Sequence, residues 1–332
     1  MLKIAVVGLG WWGRIIVGLL KGSTKLRAAT GVDVASGSAS DFCRENGLEF
    51  STDLDKVLCD KKIEAVVLCT PHSLHCDQIV RAAGAKKHVF CEKPLSLARA
   101  DVLKAVAACN DNGVALGVGH EKRFEPPVQE IFRMAAAGEL GTLLQIEANF
   151  SQDKFLALPP DNWRLSGREA PAGPMTATGI HLLDLSVGLL GRAESAYARV
   201  RQLGSALTNG DTLGVLVSFE SGANAMISAI LATPFEGRFA VYGNKGWVEV
   251  RDKAHPEAPE GWVFTFQEKE KPRRTREYPP AKAVLANLEA FADAASGRTP
   301  YPVPQEQMIA NISALEAVFK SAQSGNIERV EN

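Results

Sequence analysis

The chain has no run of about eighteen apolar residues, so no membrane-spanning helix is expected. It also lacks net charge: 37 basic and 38 acidic side chains leave −1, and no global field to gather nucleic acid or an anionic membrane surface. Its six cysteines, Cys43, Cys59, Cys69, Cys76, Cys91 and Cys109, all lie in the first third. That is a poor disulfide framework and suits a reducing cytoplasm. Internal repeats and low-complexity linkers are missing, and an apolar strand pattern starting at Leu2 leaves no room for a signal peptide. What is present is 332 residues, 46% hydrophobic and 23% charged, the composition of a globular protein of about two domains.

Residues 2–7 form an apolar run of strand length, as in a parallel strand buried on both faces. Gly8-Leu9-Gly10-Trp11-Trp12-Gly13 follows at once, and a helical pattern takes over from 14 to 21. A G-x-G-x-x-G turn between strand and helix lets the backbone approach a pyrophosphate and aims helix amides at it. Gly8, Gly10 and Gly13, with Trp11 and Trp12 in the same turn, are the candidate dinucleotide cradle. The next strand pattern, 26–32, ends on Asp33, 20 residues beyond Gly13. A carboxylate there can bond both ribose hydroxyls of NAD and repels the 2′-phosphate of NADP. Val34-Ala35-Ser36 supplies no arginine for that phosphate, so NAD is expected ahead of NADP.

Strand patterns at 64–69, 89–91 and 114–118 then alternate with helical ones at 42–46, 77–83 and 96–112, and Asp53 can cap a short helix through Leu58. This βαβ series predicts a doubly wound parallel sheet. Val89-Phe90-Cys91 runs into Glu92-Lys93-Pro94. The turn falls at the C-terminal end of an inner strand, where open α/β sheets bind ligands, and a lysine's charge can be tuned for proton work. Cys69, His72, His75 and Cys76 crowd one loop but lack the paired spacing of structural zinc sites. No metal is expected, and the loop is placed to pass beside the dinucleotide.

Beyond residue 122 the pattern changes. Residues 124–137 are helix-like, with Pro126 and Pro127 tolerable in the first turn. Residues 142–151 alternate apolar and polar, as do shorter segments at 195–202, 214–219, 223–231, 238–242, 247–251 and 262–266. They predict a mostly antiparallel sheet with one covered face. The mixed-sign charge run 269–277 carries no aromatic residue for stacking bases and reads as a solvated edge or loop. Two helices, about 281–296 and 305–324, close the chain.

Six features stand in order: Gly8-x-Gly10-x-x-Gly13, Thr70-Pro71 with His75, Glu92-Lys93-Pro94, Gly119-His120-x-x-Arg123-Phe124, Asn162-Trp163-Arg164, and Gly179-Ile180-His181-Leu182-Leu183-Asp184. Together they resemble the Gfo/Idh/MocA family, named for glucose–fructose oxidoreductase, inositol dehydrogenase and a rhizopine-catabolism protein, and the match covers nearly the whole chain. The resemblance implies an NAD(P)-binding Rossmann domain over 1–122. It implies a substrate-binding and oligomerisation α+β domain over 123–332, whose closing helices can pack back on the first. The family's large open sheet commonly forms the subunit interface, hence a homodimer or homotetramer. Thr70, Pro71, His75, Glu92 and Lys93 would adjoin the cofactor, with Lys93 by the nicotinamide and the Lys93–Pro94 peptide often cis. By pattern alone, a histidine on the apolar helix at 181 is a core residue; the resemblance makes His181 the general acid/base at the substrate hydroxyl. Arg123, Trp163, Arg164, Asp184 and Lys154 are the candidate substrate contacts. Many relatives carry an aspartate four residues before that histidine, where this chain has Ala177. Either Lys93 and His181 suffice, or Asp184, Lys154 or His120 completes the site.

These readings imply a cytoplasmic NAD-dependent dehydrogenase acting on a CH–OH group of a sugar, glycoside or cyclic polyol, with no nucleic-acid or membrane partner. His181 would take the hydroxyl proton and Lys93 would polarise the forming carbonyl, or the two would exchange roles. Redox-neutral, NAD-assisted glycoside cleavage and a non-enzymatic NAD-binding regulator are the alternatives that the same family suggests.

Overall fold

The computed structural model describes residues 1–331 and divides into two compact units, one of 1–121 with 283–308 and one of 122–282 with the chain from 309 on. The first unit begins with β1 (Leu2–Val7), α1 (Trp11–Leu20), β2 (Leu26–Val32), α2 (Gly37–Glu45), β3 (Glu49–Ser51) and α3 (Leu54–Cys59). It continues through β4 (Ala65–Leu68), α4 (His75–Gly84), β5 (His88–Cys91), α5 (Arg99–Asn112) and β6 (Leu116–Val118). The six strands pair in parallel in the order β3-β2-β1-β4-β5-β6. Strand order reverses between β1 and β4, and the crevice outside the carboxyl ends there is where such sheets take ligands. Asp53 caps α3 as expected, accepting the Lys56 N–H. The three-residue edge strand β3 is too short to show a pattern and was not expected.

The second unit contains α6 (Pro126–Ala136), β7 (Leu143–Ser151), α7 (Ile180–Leu190), β8 (Ala193–Arg201), β9 (Thr212–Phe219) and β10 (Asn224–Ile230). Next come β11 (Glu236–Gly243), β12 (Gly246–Asp252), β13 (Trp262–Glu268) and β14 (Arg274–Tyr278). The chain closes with α8 (Ala283–Ala295), α9 (Gln305–Ser324) and β15 (Glu328–Arg329). Nine strands line up as β14-β13-β12-β11-β7-β10-β9-β8-β15, antiparallel among the described residues apart from the β7–β10 pair. Burial alternates along β9 and β10, and Leu144, Leu216 and Met226 stand exposed on the strands. The charge run ends in the edge strand β14, where Arg274 and Arg276 lie over the Phe266 and Phe264 rings of β13. Charge on an edge strand guards it against pairing with another chain.

Helix α8 belongs to the first unit although most of the second precedes it in sequence. Its Leu288, Phe291 and Ala292 join Ile4, Val6, Val67 and Phe90 in one core cluster. The Phe90 and Phe291 rings meet edge to face at 5.6 Å. The Val118 carbonyl accepts from the Asn287 amide and the Tyr301 hydroxyl, both at 2.9 Å, which satisfies the end of β6. The first unit is thus discontinuous in sequence. Among the described residues no helix is long and apolar enough to cross a membrane.

Candidate active site

The glycine turn is built by close approach. Gly8 ends β1 at φ +89°, a conformation that a side chain resists, and a Cβ on Gly13 would overlap the Gly8 carbonyl oxygen. Around Gly10 nothing lies within 4 Å of where a Cβ would stand, and Gly10, the residue that caps α1, has no side chain to bond the helix's first amides. The first amides of a helix behind an open turn suit a phosphate. Asp33 is fixed at the tip of β2, one oxygen accepting the Leu9 N–H at 2.7 Å and the other the Ala35 N–H at 3.0 Å. Both bonds tie the carboxylate to the glycine turn and its neighbour. Cradle, switch point and Asp33 together fit a dinucleotide. Arg14 was not anticipated: its Nε donates to the Leu9 carbonyl at 2.9 Å, its Nη2 to Ser38 Oγ at 2.9 Å, and its guanidinium lies 5.0 Å over Phe42. It fastens the turn to the start of α2. Trp11 is exposed, and Trp12, its ring 5.8 Å away, packs against the core.

The loops after β4 and β5 leave from the same edge. Thr70 and Pro71 are half-buried, and Thr70 Oγ1 donates to Gln78 Oε1 at 2.6 Å. His75, expected on the cofactor, is fully buried instead. Its Nδ1 lies 2.8 Å from the Pro94 carbonyl and its Nε2 3.0 Å from the Thr70 carbonyl. It clamps the Thr70 loop to the Lys93–Pro94 turn, whose peptide bond is cis. Glu92, also expected beside the cofactor, turns into the protein and packs so tightly on Gly119 that a Cβ there would overlap its carboxyl. Burial and then the neighbouring Glu121 carboxylate push its pKa up to about 7, while the Trp12 indole, the Lys93 charge and the Lys93 N–H oppose the rise. Lys93 itself is half-buried. His120, at the end of β6, is buried. Among the described residues no three His, Cys, Asp or Glu side chains gather to hold a metal ion.

In the second unit α7 is entered through a π-helical turn, Met175–Gly179, which contains Ala177. Such one-turn bulges recur at functional sites, and no periodicity announced this one. Thr178 Oγ1 donates to the Phe150 carbonyl at 2.7 Å, tying the turn to the end of β7. His181 follows, 3% exposed, with its ring 6.0 Å from the Phe150 ring. Arg123 and Asp184, the expected substrate contacts, are closed on each other. Arg123 Nε donates to Asp184 Oδ2 at 2.6 Å and Nη2 to Oδ1 at 2.9 Å, with Asp184 only 1% exposed. This bidentate pair joins the segment before α6 to α7.

Beside it lies an ion cluster that sequence reasoning missed. Lys122 Nζ donates to Glu125 and to both Asp252 oxygens at 3.2 Å. Burial works against its charge, but Asp252 and then Glu125 outweigh burial and raise its pKa above the ordinary lysine value. Trp163 and Arg164 are brought together in a 3₁₀ turn, the guanidinium 4.2 Å over the indole. Asn162 Oδ1 accepts the Arg164 N–H at 3.1 Å, and Asn209 Nδ2 donates to the Arg164 carbonyl at 2.9 Å. Lys154 is 42% exposed along its side chain and pairs with Glu257 at 2.8 Å and His255 at 3.0 Å. His255 and Glu257 come from the β12–β13 connection, which carries no motif.

The comparisons with known proteins agree with this geometry. The family model for oxidoreductases with an NAD-binding Rossmann fold matches residues 2–120, and that for the GFO/IDH/MocA C-terminal domain matches 128–249. The myo-inositol 2-dehydrogenase of Thermotoga maritima is 30% identical over 255 residues, 74% of this chain and 74% of its own. A D-xylose 1-dehydrogenase (NADP+) of Haloferax volcanii is 26% identical over 274 residues, 82% of each chain. Among solved structures, the aldose–aldose oxidoreductase of Caulobacter crescentus complexed with glycerol aligns with a TM-score of 0.86 at 25% identity, covering 99% of both chains. With its Rossmann unit carrying the glycine turn and its second unit carrying His181 on helix α7 beside a large mixed sheet, the chain belongs to the Gfo/Idh/MocA family of oxidoreductases.

Proposed function

We propose that this enzyme is a cytoplasmic NAD-dependent dehydrogenase that oxidises a secondary alcohol of a sugar, glycoside or cyclic polyol. The observation that carries the reading is one sheet edge: Gly8 after β1, Thr70 after β4 and Lys93 after β5 all leave the carboxyl ends of neighbouring parallel strands. A dinucleotide turn and an amine suited to proton work therefore share the ligand-binding side of the first unit. The relatives named as inositol and xylose dehydrogenases support the substrate class.

Gly8, Gly10, Gly13 and the first amides of α1 would hold the pyrophosphate, and Asp33 the adenosine ribose hydroxyls. The NAD+ ring, when bound, is the hydride acceptor. Lys93, its turn fixed by the His75 clamp, hydrogen-bonds the alcohol oxygen and stabilises the charge that grows there. His181, held by its helix against Phe150, takes the hydroxyl proton. Asp33 favours NAD over NADP because its carboxylate opposes a second phosphate. Self-association is assigned to the second unit's sheet, where Leu144, Leu216 and Met226 are exposed. The test is net NADH formation with NAD across inositols, aldoses, anhydrosugars and glycosides. A rise in absorbance with at least one of them is expected; silence across the panel in protein shown to bind NAD overturns the proposal.

A further inference from the structure

We propose that Lys154, His255 and Glu257 form a recognition site for the hydroxyl groups of an uncharged sugar or polyol; this rests on the substrate class proposed above and names its charge. Two connections distant in sequence build the site, the turn after β7 and the link between β12 and β13. Lys154 Nζ lies 2.8 Å from Glu257 Oε2 and 3.0 Å from His255 Nδ1, and the Glu257 N–H points at the same nitrogen from 3.3 Å. An ammonium only donates, so Nδ1 accepts and the ring's proton sits on Nε2. An ammonium has three protons, and these two bonds use two of them. The cluster therefore offers a donor on Lys154 beside an acceptor on Glu257, with their charges cancelled.

Hydroxyl groups both donate and accept, and vicinal hydroxyls match such a pair. A ligand carboxylate gains from Lys154 but is repelled by Glu257. The floor of the cluster is aromatic: the His255 ring lies 5.5 Å from Phe235 and 6.0 Å from Phe150. Phe150 is also the ring against which His181 packs, at 6.0 Å. The recognition cluster and the proposed base thus flank one phenyl ring. Apolar faces with a few convergent polar groups are how proteins hold small polyhydroxy ligands. The alcohol handled at His181 is then one part of the ligand, and the hydroxyls read at Lys154 are another.

The test measures binding by calorimetry and NADH formation on the NAD-loaded protein with myo-inositol, D-xylose, D-glucose, methyl glucoside and D-gluconate. The expected result is a preference for the neutral ligands in the unaltered enzyme. Lys154→Met should weaken the best neutral ligand about tenfold, the loss falling on KM rather than kcat. Glu257→Gln leaves the ammonium uncompensated and should move the gluconate-to-neutral ratio about tenfold toward gluconate, a shift that a merely structural pair would not give. His255→Leu, which removes the acceptor for Lys154 Nζ, should weaken the best neutral ligand as Lys154→Met does, and His255→Asn, which restores an acceptor, should recover part of that loss. An unmoved ratio in Glu257→Gln overturns the assignment, as does binding of none of the five. Binding that responds to the variants without any NADH keeps the recognition site and sinks the dehydrogenase reading; NADH with unmoved ratios does the reverse.

Discussion

In the first unit the residues expected to matter lie on the ends of neighbouring parallel strands, whereas in the second the proposed recognition site is collected from segments up to 103 positions apart. A parallel sheet returns every loop to the same edge, so short motifs that follow strands fall together automatically. An antiparallel sheet with long connections has no such rule. There His181, Phe150 and His255 meet because of how β7, α7 and the β12–β13 link pack. The first unit teaches what a motif can place; the second shows what only packing places.

The sharpest way to break this comparison is to remove one proposed proton-handling group from each unit. Lys93→Ala and His181→Ala should each lower kcat by roughly 10²- to 10⁴-fold with NAD affinity nearly intact, measured by steady-state rates and fluorescence titration. Near-full turnover in either variant would remove that residue from the chemistry. The next effects concern stability. Asp184→Ala leaves Arg123 buried without its carboxylate and should destabilise by about 3–5 kcal/mol in urea melts. A drop under about 1 kcal/mol would return Asp184 to the candidates for ligand contact. Phe291→Ala should cost about 3–5 kcal/mol as well, and dinucleotide binding should fail with it because Phe291 belongs to the first unit's core.

A smaller effect depends on pH. The Glu92 carboxyl is raised from 4.5 to about 7, so the folded protein keeps a proton that the unfolded chain has already released. The stabilising effect of that proton is complete at acid pH, fades as pH climbs past about 5, and is gone once pH passes about 7. Glu92→Gln cannot titrate. Its stability relative to the parent should therefore grow by roughly 3 kcal/mol between pH 5 and 8. A flat difference across that range would place the raised carboxyl elsewhere. Smallest is Asp33→Ala, which should lower the preference for NAD over NADP about tenfold, read from the ratio of kcat/KM values. An unchanged ratio would remove Asp33 from the ribose.

Sequence patterns revealed what depends on near neighbours. Strand β1, the Gly8–Gly13 turn, Asp33 after β2, the Asp53 cap and the alternation of β7 all follow from residues a few positions apart. The partners that hold other site residues lie far along the chain. His75 is placed beside the cofactor by the family resemblance, and no local pattern announces its contact with the Pro94 carbonyl, 19 positions on. Arg123 and Asp184, 61 apart in two different motifs, are candidate substrate contacts, and nothing in the sequence announces that they pair with each other. Lys122 sat inside the Gly119–Phe124 motif at a position that the motif leaves open, and one of the two carboxylates that explain its burial, Asp252, lies 130 positions on. The π turn at Ala177 changes no residue type and leaves no trace in periodicity.

The discontinuity of the first unit has a consequence for biosynthesis. When residues 1–121 leave the ribosome, Phe291, Leu288 and Ala292 do not yet exist, and the core around Ile4, Val67 and Phe90 has only α1 and α2 as partners, without the share that α8 supplies. Translation proceeds at about 5–20 residues per second, so that core stays incomplete for on the order of 10–30 s while the second unit is being made. Any stop or frameshift before α8 releases a sheet that cannot finish its own core.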